Sequence, residues 1–308
     1  MRVAALDLGT NTTRLLVADV TDGRVDELER RLAITRLGEG VDERRRLLPV
    51  PIARVRNTLV DYRRRLEELG AERALLVATS AVRDAENGEA FLGEIEWSYG
   101  FVTRLLSGDE EAQLVRRGVA TGRELGPRGL IVDVGGGSTE LITDGWHDSL
   151  DIGSVRMTER FLRSDPPTPE EIDACVTAVN LALPDLDVDE AIGVAGTVTT
   201  LAALDLGLQE YDPQRVHGHR IPEGSVARQL DRLAALPLSE RRRVPGLEPE
   251  RAPVIVAGAV IVREVLRRYG LDAIEASERD LLDGAALEAA ELPEPEEGAA
   301  PPGAYTCC

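Results

Sequence analysis

Twice along this chain, about half its length apart, a strand runs into an Asp-x-Gly loop and out again into a second strand. The first copy is Val3-Ala4-Ala5-Leu6 entering Asp7-Leu8-Gly9-Thr10-Asn11, with Leu15-Leu16-Val17-Ala18 resuming after the bend. The second is Leu130-Ile131-Val132 entering Asp133-Val134-Gly135-Gly136-Gly137-Ser138-Thr139-Glu140, with Leu141-Ile142-Thr143 beyond it. Each is a β-hairpin signal with a polar, glycine-containing turn. Self-similarity at such a distance is what duplication of one α/β lobe leaves behind, and 308 residues are enough for two lobes with a core each. The boundary is expected near Gly126-Pro127, giving an N-terminal lobe of 1–126 and a C-terminal lobe of 127–291. From 292 to 308 Pro, Glu, Gly and Ala dominate, which reads as a disordered tail with no core to join.

Between the loops the pattern alternates. A helix is expected over 52–69, ended by Gly70, then a buried strand at 74–78. Ser107 followed by Asp109, Glu110 and Glu111 has the form of a helix start, a capping hydroxyl with carboxylates in the first turn; complementing the helix dipole alone would account for these acids. In the second half a strand is expected at 149–152, a helix at 168–183 and a strand at 191–195. That strand ends in a third Gly/Thr turn, Gly196-Thr197-Val198-Thr199-Thr200, entering a helix. An apolar helix over 253–269 and a strand at 273–276 follow.

Composition narrows the chemistry. Every one of the 36 basic residues is arginine, which removes Walker-type loops, Schiff bases and lysine nucleophiles. The 55 acidic residues give a formal charge of -19, a field that disfavours nucleic acid. Cys175, Cys307 and Cys308 build neither a disulfide framework nor a zinc site. No leader segment is read at the start and no apolar run is long enough for a bilayer, so a soluble cytoplasmic enzyme without a membrane partner is expected. Glycine loops let backbone amides approach an anion and form a nest for phosphate oxygens. Without lysine, a divalent metal is the natural neutraliser, and Asp133 with Glu140 offers carboxylates at the two ends of the second loop; oxygen ligation suits Mg2+ or Mn2+.

Taken together these residues resemble the exopolyphosphatase / guanosine pentaphosphate phosphatase family of the actin, hsp70 and sugar-kinase superfamily, over the chain to about Glu291. Asp7-Leu8-Gly9-Thr10-Asn11-Thr12 and Ile131 to Glu140 are similar to its two phosphate motifs, and Ala195-Gly196-Thr197-Val198-Thr199-Thr200 to the motif near the nucleoside in the kinases. More specific to the family are Thr79-Ser80-Ala81-Val82-Arg83-Asp84-Ala85, Leu106-Ser107-Gly108-Asp109-Glu110-Glu111-Ala112, Val216-His217-Gly218 and Glu250-Arg251-Ala252.

The resemblance implies an α/β fold of two actin-like (ribonuclease H-like) lobes with an interlobe cleft. It implies a hydrolase with Glu111 as general base on a lytic water and Arg83 donating to the transferring phosphoryl group. Asp133 and Glu140 would hold the metal, and Thr10, Asn11, Gly135, Gly136, Gly137, Ser138, Gly196, Thr197 and Arg251 would bind phosphate. Polyphosphate is the first substrate expected and guanosine pentaphosphate the second; for assembly the family leaves room for a homodimer. Three departures stand out: Pro253 where the family often carries an acid, Gln113 at an often basic position, and an end after the two-lobed core without the family's C-terminal helical domains. Two other readings compete: a non-catalytic polyphosphate or nucleotide sensor, and a kinase; Glu111 argues against both. The runs Arg44–Arg46, Arg63–Arg65 and Arg241–Arg243 are weighed as guides for a polyanion against solvated faces, and His219 as structural.

Overall fold

The computed structural model describes residues 1–293, in two compact units. The end of the expected tail, with Cys307 and Cys308, lies outside the described residues.

The first unit is Met1–Arg123 together with the described residues from Arg279 to Pro293. Its order is β1 (Arg2–Leu8), β2 (Thr12–Thr21), β3 (Arg24–Ile34), α1 (Val41–Arg44), α2 (Pro49–Glu68), β4 (Arg73–Ala78), α3 (Ser80–Arg83), α4 (Gly88–Tyr99), β5 (Val102–Leu105) and α5 (Gly108–Ala120). The second unit, Glu124–Glu278, holds β6 (Gly129–Val134), β7 (Thr139–Ile142), β8 (His147–Leu150), α6 (Ser154–Phe161), α7 (Pro169–Ala182), β9 (Glu190–Val194), α8 (Ala195–Asp205), α9 (Pro213–Val216), β10 (Arg220–Pro222), α10 (Glu223–Ala234), α11 (Leu238–Arg241), α12 (Ile255–Arg268) and β11 (Ala273–Ala276). Helix α13 (Leu281–Glu291) closes the described chain.

The repeat seen in the sequence is a repeat of topology. In the first sheet the order is β3-β2-β1-β4-β5, with β1 antiparallel to β2 and parallel to β4. The second sheet reads β8-β7-β6-β9-β11-β10, with β6 antiparallel to β7 and parallel to β9. A three-stranded antiparallel meander with parallel strands added at its first edge is thus built twice, the ribonuclease H-like lobe that the resemblance implies. Strands β1 and β6 are central and buried on both faces, which is why they read as continuous apolar runs rather than alternating ones.

In the first unit, Ala4, Leu6, Leu8, Leu15 and Val17 pack with α2 and α4 through Val55, Leu59, Tyr62, Phe91 and Ile95. The opposite face is covered by α13, with α5 packed against that helix. This corrects the expected extent of the second lobe, because α13 belongs to the first unit and the second ends at Glu278. Two observations explain the return. A Cβ on Gly118 of α5 would lie 1.7 Å from the Asp280 carbonyl oxygen, and one on Gly284 of α13 would lie 2.0 Å from the Leu114 carbonyl oxygen, so the helix backbones touch where neither carries a side chain. At the start of α13, buried Asp280 is paired with Arg14 of β2, and Asp283 with Arg30 of β3 at 3.0 Å. Burial works against the charged form of Asp280, but Arg14 and Arg30 outweigh it and hold its carboxyl below the ordinary carboxylate range.

Adding one methyl group at Gly284 has nowhere to go. Gly284→Ala is expected to destabilise the protein by about 2–3 kcal/mol, the cost of overpacking a closed contact. Urea unfolding measures it; a midpoint within error of the parent would show that α5 and α13 do not depend on this close approach.

Candidate active site

In the turn from β1 to β2, the Gly9 N–H donates to the Thr12 carbonyl at 2.9 Å. The intervening carbonyls are engaged from outside the turn: Thr10 O accepts from Gly38 N–H, and Asn11 O from the N–H groups of Thr35 and Arg36. The turn from β6 to β7 repeats the construction. Gly135 N–H donates to Ser138 O at 3.1 Å, Gly135 O accepts from Ser154 N–H, and Gly136 O accepts from the N–H groups of Val155 and Arg156. The third carbonyl, Gly137 O, accepts from Arg156 Nε at 2.6 Å.

A planar trans peptide directs its N–H opposite to its C=O. Holding the carbonyls of Gly135, Gly136 and Gly137 on one side therefore turns the amides of Gly136, Gly137 and Ser138 to the other. Among the described residues none of these three amides has an acceptor. Three consecutive amides facing one way form an anion nest.

The loop glycines Gly135, Gly136 and Gly137 all have negative φ, so left-handed backbone is not their purpose. Close approach is. A Cβ on Gly153, just before α6, would lie 2.4 Å from the carbonyl carbon and oxygen of Gly136. On Gly38 it would lie 2.3 Å from Thr10 Cγ2, so each loop rests on a glycine from a later segment. Sequence reasoning missed Gly38, Gly153 and Arg156; a glycine heading a helix with Ser154 and Arg156 behind it was the available signal for the last two.

The carboxylates also fall in matching places. Asp7 is directly opposite Arg14 across β1 and β2, and Asp133 directly opposite Glu140 across β6 and β7. Directly opposed residues in an antiparallel pair share a face, so Asp133 and Glu140 stand side by side. Both are buried, and Glu140 Oε1 accepts from Ser149 Oγ at 2.7 Å. At the equivalent place in the first unit, Arg14 Nε donates to Asp7 Oδ2 at 2.8 Å. The other oxygen, Asp7 Oδ1, is buried with no hydrogen-bond partner among the described residues. Burial pushes the Asp7 carboxyl above its ordinary value, with Arg14 opposing. Asp7 is a further candidate that the sequence reading left without a role.

Glu111 sits in the first turn of α5. Ser107 caps that helix through a reciprocal pair with Glu110, so the two acids divide their work: Glu110 closes the cap and Glu111 faces inward, buried. Glu111 Oε2 accepts from Arg83 Nη1 at 3.2 Å, and the same nitrogen donates to Leu106 O at 2.7 Å. Expected site residues Arg83 and Glu111 are thus an ion pair within one unit. Thr10 lies on the same unit's loop, its hydroxyl 2.8 Å from that of Ser80 at the start of α3.

The third turn has a different build. Ala195 takes a left-handed conformation, φ 65°, at the start of α8. The Arg251 guanidinium covers the Gly196 Cα, where a Cβ would be 1.8 Å from Nη1, and Arg251 Nε donates to Glu248 Oε2 at 2.6 Å. Thr197 is buried, packed beneath Gly258 of α12. His219 is bonded to Asp205 at 2.7 Å, with Ser225 on the other oxygen of that carboxylate. Of the arginine runs, Arg63, Arg64 and Arg65 are held in ion pairs with Glu67, Asp61 and Glu29, and Arg241 is buried, donating to the carbonyls of Leu233, Leu236 and Ala252.

Two ribonuclease H-like lobes, each with a hairpin loop whose carbonyls are held by a later segment, and a buried helix-start glutamate define the class of two-lobed phosphate-transferring and phosphate-hydrolysing proteins. Residues 16–291 match the Ppx/GppA phosphatase family, and the chain belongs to that family. It is 40% identical to Exopolyphosphatase 2 of Mycobacterium tuberculosis, with 94% of this chain and 98% of that protein covered. It is 30% identical to the guanosine-5'-triphosphate,3'-diphosphate pyrophosphatase of Vibrio vulnificus, covering 92% of this chain and 58% of that one. Among solved structures, the Ppx-GppA enzyme of Aquifex aeolicus is similar with a TM-score of 0.80 and 34% identity, covering 94% of this chain and 99% of that chain. The chain is a hydrolase acting on phosphoanhydride bonds. No helix among the described residues is long and apolar enough to cross a membrane.

Because burial raises Asp7, the folded protein holds that proton more tightly than the unfolded chain does. Its contribution to stability is therefore present below the unfolded carboxylate pKa and lost as pH rises through the folded value. Asp7→Asn is expected to compare better with the parent at about pH 7 than at about pH 3.5. Urea midpoints at the two pH values test this, and an equal difference at both would show that the Asp7 carboxyl is not raised.

Proposed function

We propose that this chain is an exopolyphosphatase that releases terminal orthophosphate from inorganic polyphosphate. The observation that carries the reading is the second unit's loop: three consecutive amides turned away from their own carbonyls, with Asp133 and Glu140 side by side at its ends. A phosphate chain offers oxygens to both kinds of group. The amides of Gly136, Gly137 and Ser138 take oxygens directly.

The two facing carboxylates suit a divalent cation. Among the described residues no cluster of three or more acidic, His or Cys ligands occurs, and one or two carboxylates completed by water and substrate oxygens is the donor set magnesium or manganese accepts. Asp133 and Glu140 would hold the ion, with Ser149 orienting Glu140; bound there, it neutralises charge on the phosphates and helps to orient them.

In the first unit, Glu111 acts as general base. A water oxygen attacks the terminal phosphorus, its proton passes to the Glu111 carboxylate, and the bridging P–O bond breaks with its electrons on the leaving chain. Arg83, on Glu111 at 3.2 Å, keeps the carboxylate oriented and has further donors for a phosphoryl oxygen. Thr10 and Asn11 belong to the first loop and bind oxygens there, while Arg251 over Gly196 supplies a cation for a phosphate further along. The 98% coverage of a relative named exopolyphosphatase supports polyphosphate as first substrate. Hydrolysis of guanosine pentaphosphate by the same residues is the second reading, favoured by the Vibrio relative.

Orthophosphate release with magnesium, from polyphosphates of defined length and from guanosine pentaphosphate, tests the proposal. Release from polyphosphate should stop on chelation, and Glu111→Gln should lower kcat by roughly a hundredfold or more with little change in affinity. Release only from the nucleotide would replace the substrate and keep the mechanism. A Glu111→Gln protein with full turnover would remove the base, and binding without release in the parent would leave a sensor.

A further inference from the structure

Arg156 has no part in the function as proposed, yet it is buried directly beneath the second unit's hairpin loop. The side chain is 7% exposed. Its Nε donates to Gly137 O at 2.6 Å, its own N–H donates to Gly136 O, and the exposed carboxylate of Asp151 lies 3.6 Å from Nη2. A guanidinium cannot shed its proton in a protein, so a permanent positive charge is kept behind a loop whose other side is three amides.

Gly137 C=O and Ser138 N–H belong to one peptide unit. A charged donor on that carbonyl draws electron density from the amide and strengthens the N–H as a donor on the far side. Gly153 makes the arrangement tight, because no Cβ separates the start of α6 from the loop backbone. The chain has no lysine to place at a phosphate from in front.

We propose that Arg156 is the positioning residue of the phosphate loop: from behind, it fixes and polarises the Gly137–Ser138 peptide and supplies the positive charge that the nest uses to hold phosphate. It acts through the backbone and touches no reacting atom. The inference rests on the phosphate-binding reading above and adds a residue that reading does not use.

The test compares the full-length parent with Arg156→Gln and Arg156→Lys, using inorganic polyphosphate of defined length, each variant first melted to establish that it is folded at the assay temperature. Arg156→Gln keeps a neutral donor and removes the charge; it is expected to raise KM about tenfold while kcat stays within about twofold. Arg156→Lys restores the charge and is expected to recover most of the loss. The same shifts should appear as dissociation constants in a Glu111→Gln background, where turnover is slow enough for binding to be measured. An unchanged KM in folded Arg156→Gln overturns the proposal, as does a fall in kcat alone. Should Arg156→Gln melt below the assay temperature, Arg156→Lys decides, since a KM raised about tenfold in that folded, charged variant overturns it. A parent that releases no phosphate from any substrate overturns the function itself, whereas an active parent beside an unaffected Arg156→Gln overturns this inference alone.

Discussion

The whole arrangement depends on where a few loop carbonyls are satisfied. A buried carbonyl must find a donor, and in both hairpins the donors come from a segment later in the chain: Thr35, Arg36 and Gly38 in the first, Ser154, Val155 and Arg156 in the second. Because each peptide is planar and trans, satisfying the carbonyls on one side presents the amides on the other. The outward-facing amides, which the proposed function assigns to phosphate, are then a by-product of ordinary backbone accounting, and they are rigid, since losing the arrangement would leave those carbonyls unpaired.

The two lobes have kept this backbone and changed the side chains at its ends. At one pair of opposed positions the first unit has Asp7 with Arg14, and the second has Asp133 with Glu140. An acid facing a cation is neutral as a pair and ties into a wider network: Arg14 also holds Asp280, and Arg30 holds Asp283, so the closing helix α13 is fastened to the strand that leaves the first loop. An acid facing an acid does the opposite, and it is this pair that the proposed function assigns to a divalent cation. One duplicated hairpin therefore yields an acid–arginine clamp in one copy and two facing acids in the other.

Close approach recurs as the means of assembly. Gly38 under Thr10, Gly153 under Gly136, and Gly118 with Gly284 between α5 and α13 all sit where a single methyl group would collide with backbone or with a buried side chain. The last pair bears on the proposed general base as well, since α5 carries Glu111. Helix position, capping by Ser107 and the Arg83 bridge together determine where that carboxylate stands.

Much of this was legible in the sequence for a physical reason: hairpin turns, helix caps and continuous apolar strands are local, and each leaves its mark within a few residues. Asp7 to Asn11, Asp133 to Glu140, and Ser107 ahead of Glu111 are such marks, and so is Gly70, which ends α2 at φ 72°. Arg156, Gly153, Arg14 and the return of α13 to the first sheet were not legible. Their meaning lies in partners far off in sequence, from Gly136 O, 17 residues before Gly153, to Asp280, 266 residues after Arg14. Sequence alone determined the duplicated lobe and the residues at the tips of its loops, because period and turn chemistry are properties of short stretches. Tertiary structure alone decided which side of each loop faces its own fold, which acid meets an arginine and which meets another acid, because those follow from which distant backbone donors arrive to satisfy the loop.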